Sequence, residues 1–199
     1  DERKHPLDTD ICLLYVHTFD EEYVLPLRHN ECLNIDMPNL ESKTKKYTID
    51  KKRLLHFLDL DNVIDVTMLN YMNRGVGLDL DNLDTDAHSF LNMRFYKKPN
   101  MNRVIPVLKH IEKCRSIVKT LIDIIENNEQ PVNMSYNNEI LDNLSFIEKN
   151  GLITTEGKVY SEYNLYTSTG RPSNRFGGIN FSALNKKDGS RKMFISRFK

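Results

Sequence analysis

Val63-Ile-Asp-Val-Thr-Met-Leu-Asn-Tyr-Met-Asn-Arg-Gly-Val-Gly-Leu-Asp79 holds a strand signal, a helix signal and a breaker in immediate succession. Val63-Ile64-Asp65 is short, apolar and β-prone, and reads as a strand or as the lead into a helix over Thr67–Met72. Asn73 to Gly77 reads as a turn. Beyond it, Leu80, Leu83, Ala87, Phe90 and Leu91 recur at helical spacing, which predicts a helix over 78–91. Upstream, Ile49–Leu58 is expected to be helical with Asp50 as N-cap. Residues 34–48 are polar and turn-rich, and read as loop. Ile11–His17 and Tyr23–Leu27 read as paired strands joined through Asp20-Glu21-Glu22, with Pro26 at an edge or strand end. Downstream of a loop over Tyr96–Asn102, the apolar positions Ile105, Leu108, Ile111, Ile117, Leu121, Ile124 and Ile125 line one face of a helix over Val104–Glu126. Ile140, Leu144 and Ile147 mark a further helix, closed by Asn150-Gly151 as C-cap, and Val159–Thr167 reads as extended. Strands interspersed with helices define an α/β class.

The chain has 199 residues, 39% of them hydrophobic and 28% charged, as expected of a soluble globular protein. No apolar run approaches the length of a membrane span, and no secretory leader is visible, so the expected compartment is the cytoplasm. The opening Asp1-Glu2-Arg3-Lys4, without Met, reads as part of a longer chain. Cys12, Cys32 and Cys114 are odd in number and far apart, against a disulfide framework or zinc ribbon. The zero net charge is unevenly spread. Residues 158–199 hold nine Lys or Arg against two acids, and the remainder carries the opposite surplus. A basic segment on an acidic body is the electrostatic footprint of a phosphate-binding surface.

That basic segment contains Tyr163-Asn-Leu-Tyr-Thr-Ser-Thr-Gly-Arg-Pro-Ser-Asn-Arg-Phe-Gly-Gly-Ile-Asn-Phe-Ser-Ala-Leu-Asn185, followed by Lys186, Lys187, Arg191 and Lys192. Arginine offers a planar, permanently charged fork for phosphate. Asparagine offers both donor and acceptor to base edges or sugars. Glycine lets backbone approach a ligand closely.

Thr169-Gly170-Arg171-Pro172-Ser173, then Ile179-Asn180 and Asn185, then Gly189-Ser190-Arg191-Lys192-Met193-Phe194, resembles the family A (bacterial polymerase I-like) DNA polymerases in order and spacing. There a Thr-Gly-Arg-x-Ser element, an Asn-rich turn and an Arg-x-x-Phe stretch begin the palm. Asp65-Val-Thr-Met-Leu to Gly75-Val-Gly-Leu similarly resembles the Asp-Thr-Met-Leu helix and Gly-x-Gly-Leu turn of that family's exonuclease-like domain. The resemblance implies a ribonuclease H-like (3′–5′ exonuclease-like) α/β domain over 1–103, a helical thumb-like region over 104–157, and a DNA-binding start of the palm over 158–199. It implies primer–template duplex contacts from Thr169, Arg171, Ser173, Asn174, Arg175, Asn180, Asn185, Lys186 and Arg191, with Arg171 and Arg191 on phosphates and Asn180 in the minor groove. The short distance from Gly151 to Thr169 resembles a reduced, phage-like version. Ile179-Asn180-Phe181-Ser182-Ala183 keeps only the first Asn of the family's Pro-Asn-Leu-Gln-Asn.

The resemblance also implies missing chemistry. The exonuclease needs carboxylates that hold two metal ions. Its first motif falls at or before Asp1-Glu2. Asp50 aligns with the second, but Lys46 stands where the family has Asn. His110-Ile-Glu-Lys-Cys114 has neither the Tyr nor the Asp of the third, and Glu112 lies on another face of the helix. A degenerate exonuclease domain is therefore expected, with no catalytic or metal-binding residue in these 199. The family's polymerase carboxylates and nucleotide-binding helix fall beyond Lys199, so the chain alone is not expected to polymerise DNA. Magnesium is expected for the complete polymerase only, and the remaining palm and fingers are expected partners. Three alternatives stay open: an active metal-dependent 3′–5′ exonuclease, a non-catalytic DNA-binding replication accessory, and a fragment without activity whose basic segment packs on a missing palm. His29-x-x-Cys32 has the spacing of a zinc-ligand pair and joins Cys12 and His17 as four candidate donors, and His110/Cys114 stand four apart on a helix. Such pairings arise easily by chance, and His110/Cys114 has no second pair at fixed spacing. Asp79, Asp81, Asp84 and Asp86 lack the Gly and terminal Glu of a calcium loop.

Overall fold

A computed structural model of the chain describes residues 10–40, 43–75, 104–175 and 183–196. The expected helix over 78–91 and Asn180 lie outside the described residues, as do the side chains of His110 and Arg175. The described residues form a mixed α/β structure with four α-helices and eight short strands, paired two by two. The chain divides into two compact units that interleave in sequence, Asp1–Thr44 with Leu78–Glu129, and Lys45–Gly77 with Gln130–Lys199. The division expected from sequence was into contiguous segments.

In the first unit, β1 (Leu13–His17) and β2 (Glu22–Pro26) form an antiparallel hairpin with Leu13 opposite Pro26 and His17 opposite Glu22. Thr18 closes the turn: its amide donates to Glu21 O at 2.8 Å and its hydroxyl accepts from Glu21 N at 3.1 Å. Pro26 ends the strand, where its missing N–H costs the ladder nothing. The long helix, Val104–Asn127, is labelled α3. Its Arg115 Nε donates to both Glu22 oxygens at 2.9 Å, which ties α3 to β2. Arg115, with the Tyr15 hydroxyl at 3.0 Å, holds the Glu22 carboxyl down at about 2. Burial, then Glu22, pushes Tyr15 up to about 12.

The second unit begins with β3 (Lys46–Thr48), which pairs in parallel with β4 (Val63–Asp65), Thr48 opposite Asp65. The connection carries α1 (Lys51–Phe57), where the Asp50 side chain accepts from Arg53 N at 3.1 Å as N-cap. Helix α2 (Val66–Arg74) follows β4 without a gap and ends at Gly75, whose φ of 73° supplies the left-handed stop. Helix α4 (Met134–Asn150) lies against α1. The core gathers Val63, Ile64, Val66, Met68, Leu69, Leu141, Leu144, Tyr163 and Leu165, all buried.

Two hairpins complete this unit: β5 (Leu152–Thr154) with β6 (Gly157–Val159), and β7 (Glu162–Asn164) with β8 (Ser173–Arg175). Residues 193–195 run along the free edge of β5, with Thr155 N to Met193 O at 3.0 Å and Ile195 N to Ile153 O at 3.1 Å. Two expectations change here. Lys46–Thr48 is a strand within the stretch read as loop; three residues are too few to show an alternating pattern, and β4 supplies the pairing. The stretch expected to be extended over 159–167 instead ends β6, forms β7 and turns, and β8 is a strand the reading did not contain.

Gly151 joins α4 to β5 at a φ of 70°, and a Cβ built there would meet the Tyr160 ring at 2.9 Å. Gly151→Ala is expected to destabilise this unit by about 2 kcal/mol through left-handed strain and overlap. Urea unfolding should show Tyr160→Ala in the same chain easing only the overlap part.

Candidate nucleic-acid interface

The region that carries the predicted DNA contacts stands on a buried polar framework. Asp65, 1% exposed, ends β4 and begins α2. Its Oδ1 accepts from Met68 N at 2.8 Å, capping α2. Its Oδ2 accepts from Lys51 N at 2.8 Å, the first residue of α1. One carboxylate thus caps two helices. Tyr166 Oη adds a third hydrogen bond to Oδ1 at 3.2 Å. Burial pushes Asp65 up to about 7, against the pull of those two amides and the hydroxyl.

Helix α1 opens on Lys51-Lys52-Arg53 with no acidic residue in its first turn, the wrong charge for a helix N-terminus. Acids outside α1 offset this. Lys51 Nζ pairs with Asp142 Oδ1 at 2.7 Å and donates to Asn138 O at 3.3 Å. Lys52 Nζ lies 2.5 Å from both Glu148 Oε1 and Tyr163 O. Glu148, itself buried, also accepts from Tyr163 N at 2.7 Å. His56 Nε2 faces Glu148 Oε2 at 3.0 Å. Burial pushes Glu148 up, but His56, Lys52 and the Tyr163 amide outweigh it and hold the carboxyl below its usual range. Ser145 Oγ donates to Lys52 O at 2.9 Å, so α4 grips α1 through side chain and backbone alike. None of these residues was singled out as a site from the sequence. The signal was present: Glu148 and Ser145 share the apolar face of α4 with Leu141 and Leu144, so a carboxylate occupies a core position.

On this framework sits the β7–β8 hairpin, whose loop presents Thr169, Gly170 and Arg171 to solvent. Tyr71 Oη donates to Thr167 O at 2.5 Å, and Gly170 N donates to the same oxygen at 2.9 Å. Thr167 Oγ1 donates to Arg171 O at 2.9 Å. Gly170 takes a φ of 66°, which the sharp tip requires. The Arg171 guanidinium has no protein partner among the described residues. Ser173 and Asn174 are half-buried on β8 and turned to β7: Ser173 Oγ lies 3.5 Å from Asn164 O, and Asn174 Nδ2 donates to Ser161 Oγ.

The remaining predicted contacts form a second piece, over residues 183–196. Asn185 Oδ1 accepts from Lys187 N at 2.9 Å, and Asn185 O accepts from Ser190 Oγ at 3.3 Å. Arg191 donates through Nε and Nη2 to Leu184 O at 3.1 and 3.0 Å. Asn185 and Arg191 therefore shape their own loop while remaining exposed, as are Lys186, Lys187 and Lys192 beside them. This loop and the β5–β6 hairpin border a groove of about 410 Å³ lined by Thr154, Lys158, Leu184, Met193 and Phe194 among others. Among the described residues, no group of three or more His, Cys, Asp or Glu is placed to hold a metal ion, and no helix is long and apolar enough to cross a membrane.

The framework has a pH signature. Asp65 binds its proton more tightly folded than unfolded, so its stabilising contribution is complete below the ordinary carboxylate value and is lost as pH rises through about 7. Glu148 works the other way: its contribution is complete above the ordinary value and is lost as pH falls below it. Melting temperature is expected to peak near the ordinary carboxylate range, to decline from there to about pH 7 and to level off above it. Asp65→Asn should flatten that decline and lower stability throughout by about 1–3 kcal/mol, since an amide NH₂ would face the Lys51 or Met68 N–H. Glu148→Gln leaves the Lys52 ammonium buried without a counter-charge and should cost about 3 kcal/mol in urea unfolding at pH 7.

Compared with known proteins, the chain matches no family model, no curated protein and no solved structure.

Proposed function

We propose that the chain is the N-terminal part of a family A-like, template-directed DNA polymerase, and that it holds primer–template duplex through the Thr169-Gly170-Arg171 tip and the basic loop after it. The observation that carries this reading is the tip itself. It is an exposed turn whose guanidinium has no protein partner among the described residues, mounted on a hairpin tied to the core. The exposed Lys186, Lys187 and Lys192 add cationic surface without sequence preference. Thr169, Arg171 and Lys186 are the direct contacts in this reading. Ser173, Asn174, Asn185 and Arg191 shape the surface from which they reach. The β3–α1–β4 parallel unit supports a ribonuclease H-like domain of the exonuclease type. The chemistry of nucleotidyl transfer, with its magnesium, belongs to palm and fingers residues outside this chain.

Fluorescence anisotropy with a primer–template duplex over a salt series tests the proposal. Arg171→Ala is expected to weaken binding about fivefold at ~0.1 M salt and to lower the salt slope by roughly one, without changing the melting temperature. Arg191→Ala should weaken binding and also loosen the 183–196 loop. Duplex binding that ignores salt and Arg171 would overturn the reading. Shortening of the primer on adding magnesium would instead favour an active exonuclease.

A further inference from the structure

We propose that Tyr71 and Tyr166 are positioning residues that hold the Thr169-Gly170-Arg171 tip in its binding conformation before any nucleic acid arrives. The inference of a tip held in place stands on geometry; its consequence for DNA rests on the function proposed above. Tyr71 belongs to α2 and Tyr166 to the hairpin loop, ninety-five residues apart in the chain. Their rings meet edge to face, with centroids 5.9 Å apart and an interplanar angle of 64°. Each hydroxyl then points a different way. Tyr166 Oη reaches back to the doubly capping Asp65 at 3.2 Å. Tyr71 Oη reaches forward to Thr167 O at 2.5 Å.

Thr167 is the junction. Its carbonyl accepts from both Tyr71 and Gly170 N, and its hydroxyl donates to Arg171 O. The backbone on either side of the tip is thereby referenced to α2, and through Tyr166 to the N-termini of α1 and α2. A Cβ built on Gly170 would stand 3.9 Å from Tyr71 Oη, so the tyrosine lies under the tip itself. Neither tyrosine offers a charge to a phosphate. Their contribution is to remove the ordering cost that a free loop would meet on binding, which is how preorganisation raises affinity without new contacts.

Hydrogen–deuterium exchange and duplex anisotropy on the same variants separate this from the reading it builds on. Tyr71→Phe keeps the ring and deletes one hydrogen bond. It is expected to speed exchange of the Gly170 amide about 3- to 10-fold, with the melting temperature little changed. Thr167→Val, which removes the bond to Arg171 O, should loosen the same segment without touching either ring. Duplex affinity of Tyr71→Phe should fall by a similar factor with the salt slope unaltered, because no charge is lost. On an Arg171→Ala background the same change should have little further effect. Unchanged Gly170 exchange in both variants would overturn the proposal whatever the duplex does. Faster Gly170 exchange in the variants, with a wild-type chain that binds no duplex, would leave the held tip standing and remove the DNA function.

Discussion

One carboxylate organises the second unit. Asp65 terminates a strand, caps the helix that follows it, caps the helix that precedes it and receives a hydroxyl from the hairpin beyond α4. Each of those amides would otherwise be a buried donor without a partner, at a cost of about 1–3 kcal/mol. Because both helix N-termini converge on one side chain, the angle between α1 and α2 is set where the strand ends. The Thr67 hydroxyl on Ile49 O at 2.8 Å reinforces the same junction. The α4 helix, the two hairpins and the basic tip are placed relative to that point.

The second layer is ionic. Burying Lys52 and Glu148 together recovers through contact only part of what desolvation costs, so the pair is poor evidence of high stability. It does impose registry. A slip of α4 by one turn along α1 would strand two charges in the core, whereas an apolar contact would tolerate it. The Tyr163 amide and carbonyl join the same pair, so β7 is held in register with α4 as well.

The helices of this unit were legible because their ends carry chemistry. Asp50 caps α1, Asp65 precedes α2, Gly75 and Gly151 stop α2 and α4, and the apolar spacing of residues 140–147 is plain. The long α3 was legible from periodicity alone. The strands β3 and β8 were not, since a three-residue strand shows no period and its pairing partner lies elsewhere in the chain. The buried network was missed for a related reason. Lys51 and Lys52 look like solvated charges at a helix start, and only tertiary contact with Asp142 and Glu148 turns them inward. Of the nine residues read as DNA contacts, Thr169, Arg171, Asn185, Lys186 and Arg191 are exposed, and Asn185 and Arg191 also hydrogen-bond within their own loop. Ser173 and Asn174 are half-buried in structural hydrogen bonds. Asn180 and the Arg175 side chain lie outside the described residues.

The interleaving of the two units has a consequence for how the protein is made. The segment that carries β3, α1, β4 and α2 emerges from a ribosome well before α4 does. At roughly 5–20 residues per second, several seconds separate the synthesis of Lys52 from that of Glu148. During that interval the lysines of α1 lack their acidic partners on α4, and α2 packs on β3 and β4 without α4. Productive folding of the second unit therefore waits on a late, long-range encounter between α1 and α4.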